Sequence, residues 1–316
     1  MKNPSLSSLC ITLALITSFI PAAVDGWWDF GHMVVAEIAR RNLDNDVARV
    51  VETYIQHLSE SGPFPNIPDF VQSACWPDDL KRYRMGAMDG WHYTANMYIR
   101  DGFKPNVTLK QKSDVVSVIN GLSKALRRTD TPIYVRSFAL AHLVHYYGDI
   151  HQPLHTTSQV SADYPEGDQG GNLVHVDFRG VPMKLHAVWD SICRGPSESL
   201  ERPLNIIDYI RLKSFATKLI ATYKFSQKEK EQTNPVVMSR EGFELAKKVA
   251  YANVVNGTEL SEEYISACKE MAEKRITLAG YRLATHLNTV LRVRGEKREA
   301  NPDYVGGDEH LFAEDQ

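Results

Sequence analysis

Residues 135–155 read VRSFALAHLVHYYGDIHQPLH, and the fold is decided there. From Val135 to Ile150 the residues are mainly apolar or aromatic, and the run is too long for a strand. A helix apolar on nearly every side belongs in a core. His142, His145 and Asp149 are set into that apolar run. On a helix His145 and Asp149 lie one turn apart and project from the same face, so they can share a cation. Pro153 ends the helix and bends the chain, which lets His155 enter the same space from another direction.

Outward from this segment, helical periodicity dominates. Val34, Val35, Ile38 and Ala39 share one face of a helix opening near Gly31, and Val47 to Leu58 forms a second. Residues 113–128 repeat apolar positions at Val115, Val118, Ile119 and Leu122. Residues 203–225, 239–254 and 261–292 read as long amphipathic segments. Only Val174 to Phe178 alternates like a strand, so a short β-hairpin around Gly180 is the one sheet expected. The predicted fold is all-α, a single mainly helical domain over residues 27–292, with no internal repeat or linker.

The flanks are of a different character. Lys2 is the only charge before an apolar run from Leu9 to Ile20, which reads as a signal peptide, residues 1–26. A cut after Gly26 makes Trp27 the amino terminus, and a cut after Ala23 is the local competitor. Residues 293–316 are polar and read as a disordered tail. The expected mature protein is secreted and has no membrane segment. Asn106-Val-Thr108 and Asn256-Gly-Thr258 are candidate glycosylation sites for such a chain. Cys10 leaves with the signal, so Cys75, Cys193 and Cys268 remain and at most one intrachain disulfide can form.

With 36 Lys+Arg against 39 Asp+Glu, the formal charge of the 316 residues is −3. No basic surplus marks a nucleic-acid binder, so that function would need another source of positive charge. The histidines are abnormal: five of the 11 fall between His142 and His175. A second His-x3-Asp pair, His186 and Asp190, follows a Gly170-Gly171-Asn172 turn. Two such pairs form a multimetal pattern, and imidazole with carboxylate and no thiolate suits Zn²⁺.

Trp27 at the expected cut, Trp76-Pro-Asp78, Trp91-His92-Tyr93, His145-x2-Gly148-Asp149-x-His151-Gln-Pro-Leu-His155, the Gly-Gly-Asn turn and Leu185-His186-x2-Trp189-Asp190 occur in one order. In that order the chain resembles the class I nuclease (P1/S1) family over nearly all of residues 27–292. The resemblance implies a secreted enzyme with three zinc ions that cuts single-stranded DNA and RNA to 5'-phosphate products and acts on 3'-nucleotides. By resemblance, Asp78, His92, His145 and Asp149 hold one zinc, and His155, His186 and Asp190 hold the second. The third takes the amine and carbonyl of Trp27 with His32, and shares Asp149. A cut elsewhere would remove the amine, because an α-amino ligand must be free and unprotonated.

Three Zn²⁺ ions bring about +6 against three carboxylates, a local attraction for phosphodiesters that needs no basic face. Asp78 is expected to orient the attacking water and Lys81 to steady the phosphoryl oxygens. Tyr93 is the expected base-stacking platform. Fungal members have His-Phe-Ile-Asp where this chain has His92-Tyr93-Thr94-Ala95, and the Ala95 methyl side chain offers a base no hydrogen bond, so broad base tolerance is expected. His142 and His151 are assigned to packing or hydrogen bonding, His175 to the hairpin, and His57, His286 and His310 to surface or structural roles. Cys75 and Cys193 each lie three residues from a ligand aspartate, which favours their pairing, with Cys268 the alternative partner for either. A monomer is expected. The rival readings are a zinc-dependent phospholipase C, whose last pair ends in Glu, and a non-catalytic secreted zinc-binding protein on the same scaffold.

Overall fold

The structure, a computed structural model, describes residues 27–61, 68–109, 113–195 and 200–292. The expected signal peptide, polar tail, Cys10 and His310 lie outside them. The long helices are α1 (Asp29–Arg40), α2 (Asn45–Ser61), α4 (Val115–Arg127), α5 (Ile133–Asp149), α7 (Ile206–Thr222), α9 (Pro235–Leu245) and α10 (Glu262–Val290). Short helices α3 (Trp76–Arg82), α6 (Leu185–Asp190) and α8 (Gln227–Lys230) lie between them, with 3₁₀ turns at Gln72–Cys75, Gly86–His92 and Pro153–Thr156. The fold is mainly helical, as the periodicity predicts.

Local chemistry starts several of these helices. Asp114 accepts from the Ser117 amide while Ser117 Oγ accepts from the Asp114 amide, a reciprocal cap that opens α4. Asn205 caps α7 and Ser261 caps α10. The interval expected as one helix over 239–254 begins earlier, at Pro235, and leaves α-geometry at Ala246–Ala250 in a π turn.

Helix α5 is the buried axis. Every residue from Ala139 to Asp149 is buried, and α1, α2, α4 and α10 pack around it. The close approach of α1 and α10 requires Gly280, where a β-carbon would lie 2.6 Å from Ile38 Cβ.

Sheet structure exceeds the single expected hairpin. That hairpin is present, β3 (His175–Phe178) against β4 (Val181–Lys184), turning at Gly180 with φ +81°. A two-residue β5 (Thr258–Glu259) adds parallel to β3. Separately, β1 (Asn96–Ile99) pairs parallel with β2 (Thr157–Val160), Asn96 opposite Thr157. The hydrophobic pattern is silent on β2, because Thr157, Ser158 and Gln159 are polar yet buried. The Asp168 carboxylate takes the Gln159 amide at 2.8 Å and the Ser158 hydroxyl at 3.3 Å.

Of the two pairings left open for Cys193, the one with Cys75 is overturned and the one with Cys268 is present. Cys193 pairs with Cys268, Cα to Cα 5.8 Å, and Cys75 is a buried free thiol. Cys75 lies beneath the first turn of α1, its Sγ against the Asp29 carbonyl, whereas Cys193 turns away toward α10.

Candidate metal centre

Five separate segments deliver side chains to one buried space: His32 from α1, Asp78 from α3, His92 from the end of its 3₁₀ turn, His145 and Asp149 from α5, and His155 from the turn after Pro153. Helix α6 adds His186 and Asp190 at its first and last turns. Potential ligand atoms gather in three groups: His32–His145–Asp149, Asp78–His92–His145, and His155–His186–Asp190, with the atoms of each within 4.8 Å of one another.

Four atoms form a cage. His92 Nδ1 and His145 Nε2 are 3.0 Å apart. Asp149 Oδ2 is 3.0 Å from the first and 3.1 Å from the second. Asp78 Oδ1 is 3.5 Å from His92 Nδ1 and 3.6 Å from His145 Nε2. Tetrahedral zinc with arms of about 2.0–2.1 Å needs ligand–ligand edges of roughly 3.3 Å, and these values bracket that length.

Hydrogen bonds to backbone carbonyls set the imidazoles. His145 Nδ1–H donates to Ala74 O (2.6 Å), His155 Nδ1–H to His92 O (2.9 Å) and His186 Nδ1–H to Gly170 O (2.6 Å), which turns each Nε2 inward. His155 Nε2 then faces His186 Nε2 at 3.1 Å, lone pair against lone pair. Burial lowers the pKa of both rings, that of His186 to about 3, which favours their neutral forms. A cation held between the two nitrogens would relieve this contact.

The carboxylate-rich cage asks for positive charge as well. Burial pulls the His145 pKa down, but Asp149 and Asp78 outweigh it and lift it to about 9. Burial alone would raise Asp78 and Asp149. Lys81 and His145 instead hold Asp78 well below the ordinary carboxylate range, and His145 and His155 do the same for Asp149. Both ring nitrogens of His32, with Asp78 Oδ2 and Asp149 Oδ1, are buried polar atoms lacking any hydrogen-bond partner. Such atoms are rare unless something binds them, so the residues present fit metal ions.

Asp149 addresses two groups, with Oδ2 in the cage and Oδ1 3.5 Å from His32 Nε2. Trp27 is wholly buried beside them, its indole N–H donating to Gly148 O at 2.9 Å, and the Trp28 amide donates to Asp190 O at 3.1 Å. Lys81 Nζ lies 2.7 Å from Asp78 Oδ1. Tyr93 is 44% exposed, so it is not packed in the core beside His92. Asn106 and Asn256 are exposed.

His142 and His151 are buried outside the three groups: His142 packs among Trp76, Phe138 and Tyr146, and His151 Nε2 accepts from Arg282. His175 is an exposed hairpin residue.

Three residues that shape the site escape the sequence reading. Arg202 donates to both oxygens of Asp79 (2.6 and 2.7 Å) and to Asp29 at 3.0 Å, tying α3 to the start of α1. Asp168 accepts from the Gly170 amide and so supports the turn whose carbonyl orients His186. Gln152 donates to Asp190. Only Gln152 had a signal, as a polar residue between the clustered Asp149 and His155.

Fold and site together define a helical protein whose centre is a set of adjoining His/Asp groups able to hold metal ions. The chain belongs to the S1/P1 nuclease family, whose pattern it matches over residues 27–292. It is 26% identical to Endonuclease 5 of Arabidopsis thaliana over 312 residues, covering 90% of this chain and 96% of that protein. It is 27% identical to Nuclease S1 of Aspergillus oryzae over 84% of this chain and 92% of the relative. To Nuclease P1 of Penicillium citrinum it is 21% identical, over 84% and 97%. These relatives support nuclease activity, and among the described residues no helix is long and apolar enough to cross a membrane.

Proposed function

We propose that this chain is a secreted, three-zinc endonuclease that hydrolyses single-stranded DNA and RNA to 5'-phosphate products and also removes phosphate from 3'-nucleotides. The observation carrying this reading is the cage of Asp78 Oδ1, His92 Nδ1, His145 Nε2 and Asp149 Oδ2, with spacings of 3.0–3.6 Å. Those residues would hold one zinc, and His155, His186 and Asp190 the second. The Trp27 amine and carbonyl, His32 and Asp149 would hold the third. Bound zinc supplies Lewis acidity and a water that ionises near neutral pH.

The chain's own groups then have distinct roles. Asp78, with one oxygen paired to Lys81 and the other free of hydrogen bonds, orients the attacking water. The Lys81 ammonium steadies charge on the phosphoryl oxygens. Tyr93 stacks on an unpaired base, which a duplex would not offer, and Ala95 leaves base choice broad. The signal reading of residues 1–26 and the exposed sequons at Asn106 and Asn256 support secretion of a glycosylated protein.

Intact mass and metal analysis of the secreted, deglycosylated protein test the reading. A chain beginning at Trp27 with three zinc ions, releasing phosphate from a 3'-mononucleotide and losing that activity to a chelator, is expected. A start at Val24, or fewer than three ions, overturns the three-zinc assignment.

A further inference from the structure

Gln152 lies between Asp149 and His155, is fully buried, and spends both ends of its amide within the site. Its Oε1 accepts the Leu154 amide at 2.5 Å, opening the 3₁₀ turn that carries His155. Its Nε2 donates to Asp190 Oδ1 at 2.7 Å. The two bonds determine which end is oxygen, since a backbone N–H needs an acceptor and a carboxylate needs a donor. One amide therefore joins the two elements that bring His155 and Asp190 to the same group.

We infer that Gln152 is the positioning residue of the His155–His186–Asp190 group, dictating how the Asp190 carboxylate is presented to a metal ion. This rests on the metal reading above. Oδ1, engaged by the amide, stands 3.8 Å from His155 Nε2, and Oδ2 is the oxygen turned more closely to the group, 3.3 Å from His186 Nε2. Asp190 then offers one oxygen, and the group supplies three protein donors with a position left over. Three donors and an open position are the pattern of catalytic zinc sites. Without the amide, Asp190 loses the hydrogen bond that holds Oδ1, and the turn bearing His155 loses its first hydrogen bond.

The test uses the secreted full-length mature protein and Zn²⁺ under chelator competition, with Co²⁺ absorption as a second readout. Gln152→Met keeps the volume and removes both hydrogen bonds. Gln152→Glu keeps the acceptor for Leu154 and sets a carboxylate against Asp190. Each variant is expected to weaken one of three bound ions by about 10–100-fold, the usual effect of losing an outer partner of a metal ligand, while two ions stay tight. In a His186→Ala background, where that group is already broken, Gln152→Met should change nothing more.

Wild-type affinity for all three ions in a folded Gln152→Met or Gln152→Glu protein overturns the inference, as does equal weakening of all three. If Gln152→Met does not fold, Gln152→Glu decides alone. A wild-type protein that binds no ion through His186 overturns the metal reading itself and this inference with it.

Discussion

Gly148 lies directly beneath the imidazole of His32: a β-carbon on residue 148 would sit 2.7 Å from His32 Nδ1 and 3.0 Å from its Cε1. The same glycine carbonyl accepts the Trp27 indole N–H, so one position on α5 seats both Trp27 and His32. Gly148→Ala should therefore push His32 away from Asp149. The expected result is two tightly bound ions instead of three, with an overpacking loss of about 1–3 kcal/mol. Metal analysis with denaturant unfolding checks it, and full retention of three ions would show that the ring has room to shift.

Lys81 is close to Asp78 without being one of the proposed ligands. Lys81→Ala should lower kcat on single-stranded DNA by about 10²–10³-fold, the size seen when one transition-state donor is removed, with zinc content unchanged. Because Lys81 is the leading charge holding Asp78 deprotonated, the metal-free variant should also titrate this carboxylate at higher pH. Steady-state kinetics beside metal analysis separates a charge-steadying lysine from a merely solvated one.

Peptide mapping of the secreted protein should recover a Cys193–Cys268 linkage and an unreacted Cys75. Residues Ile192, Cys193 and Arg194 all have positive φ, +51°, +47° and +49°. Left-handed backbone costs non-glycine residues about 1–2 kcal/mol each, so this turn after Asp190 depends on its anchors. Cys268→Ser is expected to destabilise the fold by about 2–5 kcal/mol, and a shift of the urea midpoint measures it.

His286 provides a pH dependence remote from the metal groups. Burial, with Arg127 nearby, lowers its pKa to about 4, and its Nε2 lies 2.8 Å from Ser123 Oγ. As pH falls below 6.5 the unfolded chain takes this proton first, so stability declines from there to about pH 4 and levels off below. After allowance for its partial exposure, the decline is on the order of 1–2 kcal/mol. His286→Gln should flatten that portion of the stability–pH curve. An unchanged slope would mean that the ring is already solvated.

Residues 135–155 carry so much information because burial and chemistry coincide there. An apolar helix containing His145 and Asp149 at one-turn spacing has few uses other than a buried cation site, and both residues are indeed fully buried. His186 and Asp190 were legible for the same reason, since a single helical turn suffices to align them. The four-residue strands β1 and β2 were not, because their partners are 61 positions apart and the buried face of β2 is polar. The cysteine pairing was equally out of reach. Sequence distance from Asp78 and Asp190 says nothing of which way the Cβ bonds of Cys75 and Cys193 point.

By itself, then, the amino-acid order determined the helical class, the central buried helix and the His145–Asp149 and His186–Asp190 pairs, since each depends on periodicity or on spacing within one turn, whereas His32, Asp78 and His92 were reached only through the family resemblance. Tertiary structure alone decided which nitrogen each imidazole turns inward, how Asp149 divides its two oxygens, and that Gln152 reaches Asp190. Those outcomes depend on carbonyls and side chains supplied by Ala74, His92, Gly170 and α6, far away in the chain. A hydrogen bond is settled within tenths of an ångström by where separate elements come to rest, and no local pattern encodes that.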